Sequence, residues 1–88
     1  MRSIDLASYS TIELWPNRSL YLQGRSGALI VRLPSGSMSW GGRNTIAFGS
    51  GAKTSVVITG PDRQVKAIWD ELIRLARAGV KDQRALIA

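Results

Sequence analysis

Apolar residues recur at every second position through most of the chain that precedes Gly60. Ile4 and Leu6, Ile12 and Leu14, Leu20 and Leu22, Met38 and Trp40, Ile46 and Phe48, and Val56 and Ile58 each flank a smaller or more polar residue. That is the period at which successive side chains of a strand turn to opposite faces, so each pair predicts a short strand with one face inward. Between them lie Trp15-Pro16-Asn17-Arg18, Gln23-Gly24-Arg25-Ser26-Gly27, Leu33-Pro34-Ser35-Gly36, Gly41-Gly42-Arg43-Asn44 and Gly49-Ser50-Gly51-Ala52-Lys53. All are rich in residues that tolerate turn dihedrals. Connections this short join neighbouring strands antiparallel, which predicts a meander.

Two segments depart from this alternation. Ala28-Leu29-Ile30-Val31-Arg32-Leu33 is apolar on both parities, as a central strand covered on both faces would be. The cover expected there is the rest of a closing barrel or a second copy of the chain. After Gly60 the period changes to three and four: Val65, Ile68, Trp69, Leu72, Ile73 and Ala76 form one stripe, while Arg63, Lys66, Asp70, Arg74 and Arg77 face away. With Pro61 at the first helical position, Asp62 at the positive end and Gly79 as the stop, a helix is predicted over about 61–78, with an Asp70–Arg74 pair on its outer face. Val80 to Ala88 would add one more helical turn or fray.

The fold class is therefore α+β: six or seven short antiparallel strands, as a meander or half-open barrel, followed by one C-terminal amphipathic helix. An 88-residue chain has room for one domain, here 1–80 with 81–88 as a short tail, and its core must be thin. In outline this order resembles pleckstrin-homology-like domains, whose closing helix bears an inward Trp as Trp69 would be. It also resembles the dimeric single-strand binders in which a helix follows a basic sheet. Trp40 and Trp69 lie on the inward parity of their elements and are expected in the core.

Composition removes most chemistry. There is no Cys and no His, so thiolate attack, imidazole base catalysis and ligation of metal by either group are excluded. The acidic residues sit in separate elements or, as Asp70 and Glu71, side by side on the outer helix face, and no catalytic residue, cofactor or metal is expected. Gly49-Ser50-Gly51-Ala52-Lys53-Thr54 has the look of a phosphate-binding loop. It carries Ala52 where that motif needs Gly, though, and leads into a strand instead of a helix. The longest apolar runs fall far short of the roughly 20 residues that span a bilayer, and Asp5 interrupts what would be the apolar core of a signal peptide. A cytoplasmic protein without disulfides is expected.

Charge adds the functional expectation. The net charge is +6, and from Leu14 to Pro61 there is no Asp or Glu, while Arg18, Arg25, Arg32, Arg43 and Lys53 give that stretch +5. Tyr21 is out of phase with Leu20 and Leu22, and Trp15 with Ile12 and Leu14, so both rings point to the second face, where they could stack on bases or pack in a dimer. Five cations and two aromatics predict a weakly sequence-specific nucleic-acid-binding module for DNA or RNA, single strands ahead of duplex. The same residues serve the alternative of a protein-interaction module, such as a small regulatory, inhibitory or structural protein of a phage or mobile element, docking its basic face on an acidic partner.

Overall fold

In the computed structural model, which describes residues 2–34, 37–42, 44–49, 53–78 and 85–88, the alternating segments become strands. They are β1 (Arg2–Asp5), β2 (Thr11–Leu14), β3 (Ser19–Gly24), β4 (Gly27–Arg32), β5 (Met38–Trp40), β6 (Thr45–Phe48) and β7 (Val56–Thr59). Helix α1 spans Asp62–Ala78, and a final strand, β8, follows it at Ala85–Leu86. The class is α+β with eight strands among the described residues, mostly antiparallel.

The strands divide into two four-stranded sheets, ordered β1-β7-β6-β5 and β4-β3-β2-β8. Each contains an antiparallel meander of three consecutive strands, β2–β3–β4 in one and β5–β6–β7 in the other. Each is completed by a strand from a distant part of the chain. β1 joins β7 in parallel, with Arg2 opposite Val56 and Asp5 opposite Thr59. β8 joins β2 antiparallel. A single meander of sequence neighbours is thus corrected at two places. Between β1 and β2 the chain makes a 3-10 turn, Leu6–Ser8, held by the Asp5 carboxylate accepting from Ala7 N at 3.1 Å, and this turn deflects the two strands apart. Between β4 and β5 the chain passes from one sheet to the other.

The tail is also corrected. Ala85 to Ala88 neither fray nor form a helical turn but pair with β2, Ile12 N donating to Ala88 O at 2.8 Å and Ile87 N to Ile12 O at 2.8 Å, while Val80 to Arg84 lie outside the described residues. Gly79, the expected helix stop, lies outside the described residues.

The inward parity of both sheets and one stripe of the helix bury a single core. Ile4, Leu6, Ile12, Leu14, Leu20, Leu22, Ile46, Phe48 and Ile58 meet Val65, Ile68, Leu72 and Leu75 there. Leu75 replaces Ala76 on the expected stripe, and Ala76 is exposed. The Pro61 carbonyl accepts from Gln64 N and Val65 N, so Pro61 stands just before the helix instead of within it. On the outer helix face Arg74 pairs with Glu71, not Asp70, which is engaged by Lys66 at 3.2 Å. Such exposed pairs contribute only tenths of a kcal/mol. Gly60, which turns the chain from β7 into the helix, has φ +154°, and a Cβ there would meet Leu6 Cβ at 2.7 Å.

Two core expectations change. Trp40 has the inward parity, opposite Ile46, but β5 is a three-residue edge strand, and its indole is 43% exposed at the rim. There it stacks on the half-buried Trp69, ring centroids 4.7 Å apart. β4, expected to be central, is an edge strand: Val31 and then Leu33 turn inward, while Ala28, Ile30 and Arg32 stand exposed on the other face.

Phe48→Ala should therefore cost about 3–5 kcal/mol and lower Tm by at least about 12 °C in a domain of this size, because a cavity opens at the centre of the core. Trp40→Ala should cost only about 1–2 kcal/mol, the worth of a rim stack and its partial burial. Thermal and urea unfolding of the two variants checks this ranking; equal losses would place Trp40 in the core.

Candidate binding surface

The outer face of the β4-β3-β2-β8 sheet is built by the residues out of phase with the core. Register fixes one row across all four strands: Ile30 opposite Tyr21, Tyr21 opposite Glu13, and Glu13 opposite Leu86. Ile30 is 54% and Leu86 74% exposed, so the row is capped at both ends by open aliphatic side chains. Trp15 lies against it, its ring stacked on Tyr21 with centroids 5.9 Å apart and planes 10° from parallel. Trp15 Nε1 donates to Glu13 Oε1 at 3.0 Å, and the Tyr21 hydroxyl donates to Gln23 Oε1 at 3.1 Å. The two aromatics are held half-buried against each other and tied to the sheet by their polar ends.

The loop that brings Trp15 there has three residues, Pro16, Asn17 and Arg18. It is closed by Arg18 N donating to Trp15 O and Trp15 N to Ser19 O, both at 2.9 Å. Pro16 suits the first central position of a type I turn, and Asn17 Oδ1 accepts from Ser19 N at 3.0 Å. Loops of this length place their last residue in the left-handed region, where Gly is usual. Here it is Arg18, φ 68°, the only described non-glycine residue with positive φ. Its guanidinium explains its retention: Nε donates to Leu33 O at 3.4 Å and Nη2 to Pro34 O, so the side chain straps the β2–β3 loop to the end of β4. Burial, and after it the charge of Arg32, pushes the Arg18 pKa down.

Trp15, Arg18, Tyr21 and Arg32 are thus gathered from three segments to one end of the sheet. Arg32 stands opposite Ser19 on the outer parity. The other cations are elsewhere. Arg25 sits in the turn at the far end of the β3–β4 hairpin, about 17 Å away at the usual strand rise. It borders a depression of about 350 Å³ lined also by Ala7, Ser8, Tyr9, Ser10 and Gly24. Lys53 is exposed in the β6–β7 connection of the other sheet, and Arg43 lies outside the described residues.

The acid-free stretch of sequence is therefore not an acid-free surface, since Glu13, one residue before it, stands in the middle of the row. Parity and a three-residue loop would have placed Glu13 beside Tyr21. Ile30 carried its signal in the doubly apolar β4, but Leu86 had none, because two residues hold too little pattern to define a strand. Among the described residues no three of Asp and Glu come together as a metal site, and no described helix is long and apolar enough to cross a membrane. No protein-family model, curated protein or solved structure matches the chain.

Arg18 supplies a clean separation of strain from contact. Arg18→Ala keeps the unfavourable backbone and loses the strap, and should cost about 1–3 kcal/mol. Arg18→Gly loses the same bonds but relieves about 1 kcal/mol of left-handed strain, so it should be the more stable of the two variants by about that amount. Urea unfolding of the pair measures the difference directly.

Proposed function

We propose that this chain is a small, non-catalytic protein-interaction module of the cytoplasm that docks the outer face of its β4-β3-β2-β8 sheet on an acidic protein. The observation that carries this reading is the exposed row Ile30–Tyr21–Glu13–Leu86 with Trp15 against it, flanked by Arg32 at one end and Arg25 at the other. Trp and Tyr anchors beside exposed aliphatic side chains, with charges around them, are the kind of residues that carry binding energy at protein interfaces. The net charge of +6 selects an acidic partner and speeds its encounter.

Three features favour a protein over a nucleic acid as the occupant. Among the described residues, Arg18, Arg25, Arg32 and Lys53 do not form one track, being split between two ends of one sheet and a loop of the other. A carboxylate, Glu13, stands directly opposite Tyr21, where its charge repels phosphates brought near that ring. The two rings of the candidate stacking platform are already stacked on each other, whereas single-strand binders present free aromatic faces to successive bases.

The test joins affinity capture to titration. Proteins retained from source cells by the wild-type chain, but not by Ile30→Glu or Leu86→Glu, are purified and titrated at 50 and 200 mM salt. Each substitution should weaken binding at least about tenfold, and Arg25→Ala with Arg32→Ala should slow association and flatten its salt dependence. Retention of the same partners by both Glu variants would overturn this assignment. So would a single- or double-stranded oligonucleotide binding tighter than about 10 μM with a log–log salt slope of −3 or steeper, which would return the chain to the nucleic-acid class.

A further inference from the structure

We infer that the notch between the β2–β3 loop, the end of β4 and the last turn of α1 is a binding site for a phosphate-class oxyanion. It shares Arg32 with the rim of the docking face but none of the row Ile30–Tyr21–Glu13–Leu86, so the two can be tested apart. The notch encloses about 200 Å³ and is lined by Pro16, Asn17, Arg18, Arg32, Leu75 and Ala76. That volume suits one tetrahedral oxyanion with part of what it is attached to.

Among the described residues its wall carries two arginines and no acid. They feel each other, for the charge of Arg32 adds to burial in pushing the Arg18 pKa down. Two like charges at one cavity, with no carboxylate among its described lining residues, lower the stability of the empty site, and an anion between them removes that penalty. The negative end of α1 opposes an anion, but a helix terminus carries only about half a charge against two full ones, so the net field in the notch stays positive.

The donors are also pre-set. Arg18 is fixed by its bonds to the Leu33 and Pro34 carbonyls, which use two of the five N–H groups of a guanidinium and leave three. Asn17 Oδ1 is taken by Ser19 N, which leaves the amide NH₂ as a further donor beside the notch. Arg32 is exposed and supplies a second planar fork, the group best matched to phosphate oxygens. The positive φ of Arg18 belongs to the same account. A non-glycine residue in the left-handed region is a local strain, and here it falls at a residue that lines the notch.

The isolated chain is titrated with inorganic phosphate, with chloride at matched ionic strength as the reference, following Tm and the amide resonances of a ¹⁵N-labelled sample. Phosphate should raise Tm in a saturable way with a Kd in the millimolar range or tighter, and should shift Asn17, Arg18, Arg32 and Ala76 while leaving Arg25 in place. Arg32→Gln should weaken binding at least about tenfold, and Arg25→Gln should leave it unchanged. Glycerol 1-phosphate in a second arm tells whether the occupant is a free ion or an esterified phosphate. Glutarate, a carboxylate of comparable size, should bind at least about tenfold more weakly. Equal stabilisation by chloride, or phosphate binding unaffected by Arg32→Gln, would overturn the site. Either result leaves the docking row standing, because neither variant nor probe alters Ile30 or Leu86, whose Glu variants test that row; Arg32→Gln removes only one cation of its rim.

Discussion

No element of this domain can bury its own apolar side, and all of them rely on one core. Each three-stranded meander is too narrow to close by itself. The helix offers a stripe of Val65, Ile68, Leu72 and Leu75 that would stand in water without the strands. Burying each such side chain contributes about 1.5–3 kcal/mol, and a chain of this length retains only a few kcal/mol of net stability after its conformational entropy is met. The fold exists because both sheets and the helix turn the same parity toward one volume.

That arrangement decides what is left open. With its single helix docked against the core, the chain keeps the outer face of the β4-β3-β2-β8 sheet free of cover among the described residues. Beside the polar and charged residues usual on a solvated face, among them Glu13, Gln23 and Arg32, it carries Ile30, Tyr21, Trp15 and Leu86. Arg18 belongs to the scaffold of this face as much as to any ligand. It occupies a loop position that Gly would fill without strain, and its side chain fastens the loop to β4.

Much of the local structure could be read from the residues. Parity alone identified the inward residues of β2, β3, β6 and β7, and the change of period after Gly60 identified the helix to within a residue at its start. Pairing was harder to read. Nothing in Ser3-Ile4-Asp5 distinguishes a strand that pairs with its neighbour from one that runs parallel to β7, and two residues at Ala85–Leu86 carry no period at all. β4 misled because a doubly apolar strand suits a covered centre, yet the same composition occurs at an edge whose outer face has apolar neighbours. The candidate surface was half legible for the same reason. Trp15, Tyr21, Arg18 and Arg32 were singled out by phase and turn position, whereas Glu13 was hidden by proximity in sequence to the wrong side of a charge boundary. Leu86 depended on a pairing that no local pattern encodes.

The two terminal strands have a consequence for the order in which the chain can assemble. β1 waits for β7, and β2 cannot complete its pairing until Ala88, whose carbonyl accepts from Ile12 N, has been made. Contacts that span nearly the whole chain slow folding, because loop closure must precede any gain from them. During synthesis the β2–β3–β4 meander emerges first with one long edge of its sheet unpaired. It stays so until Ala85 to Ala88 have been made, and the nascent protein is most prone to pair with the wrong strand during that interval.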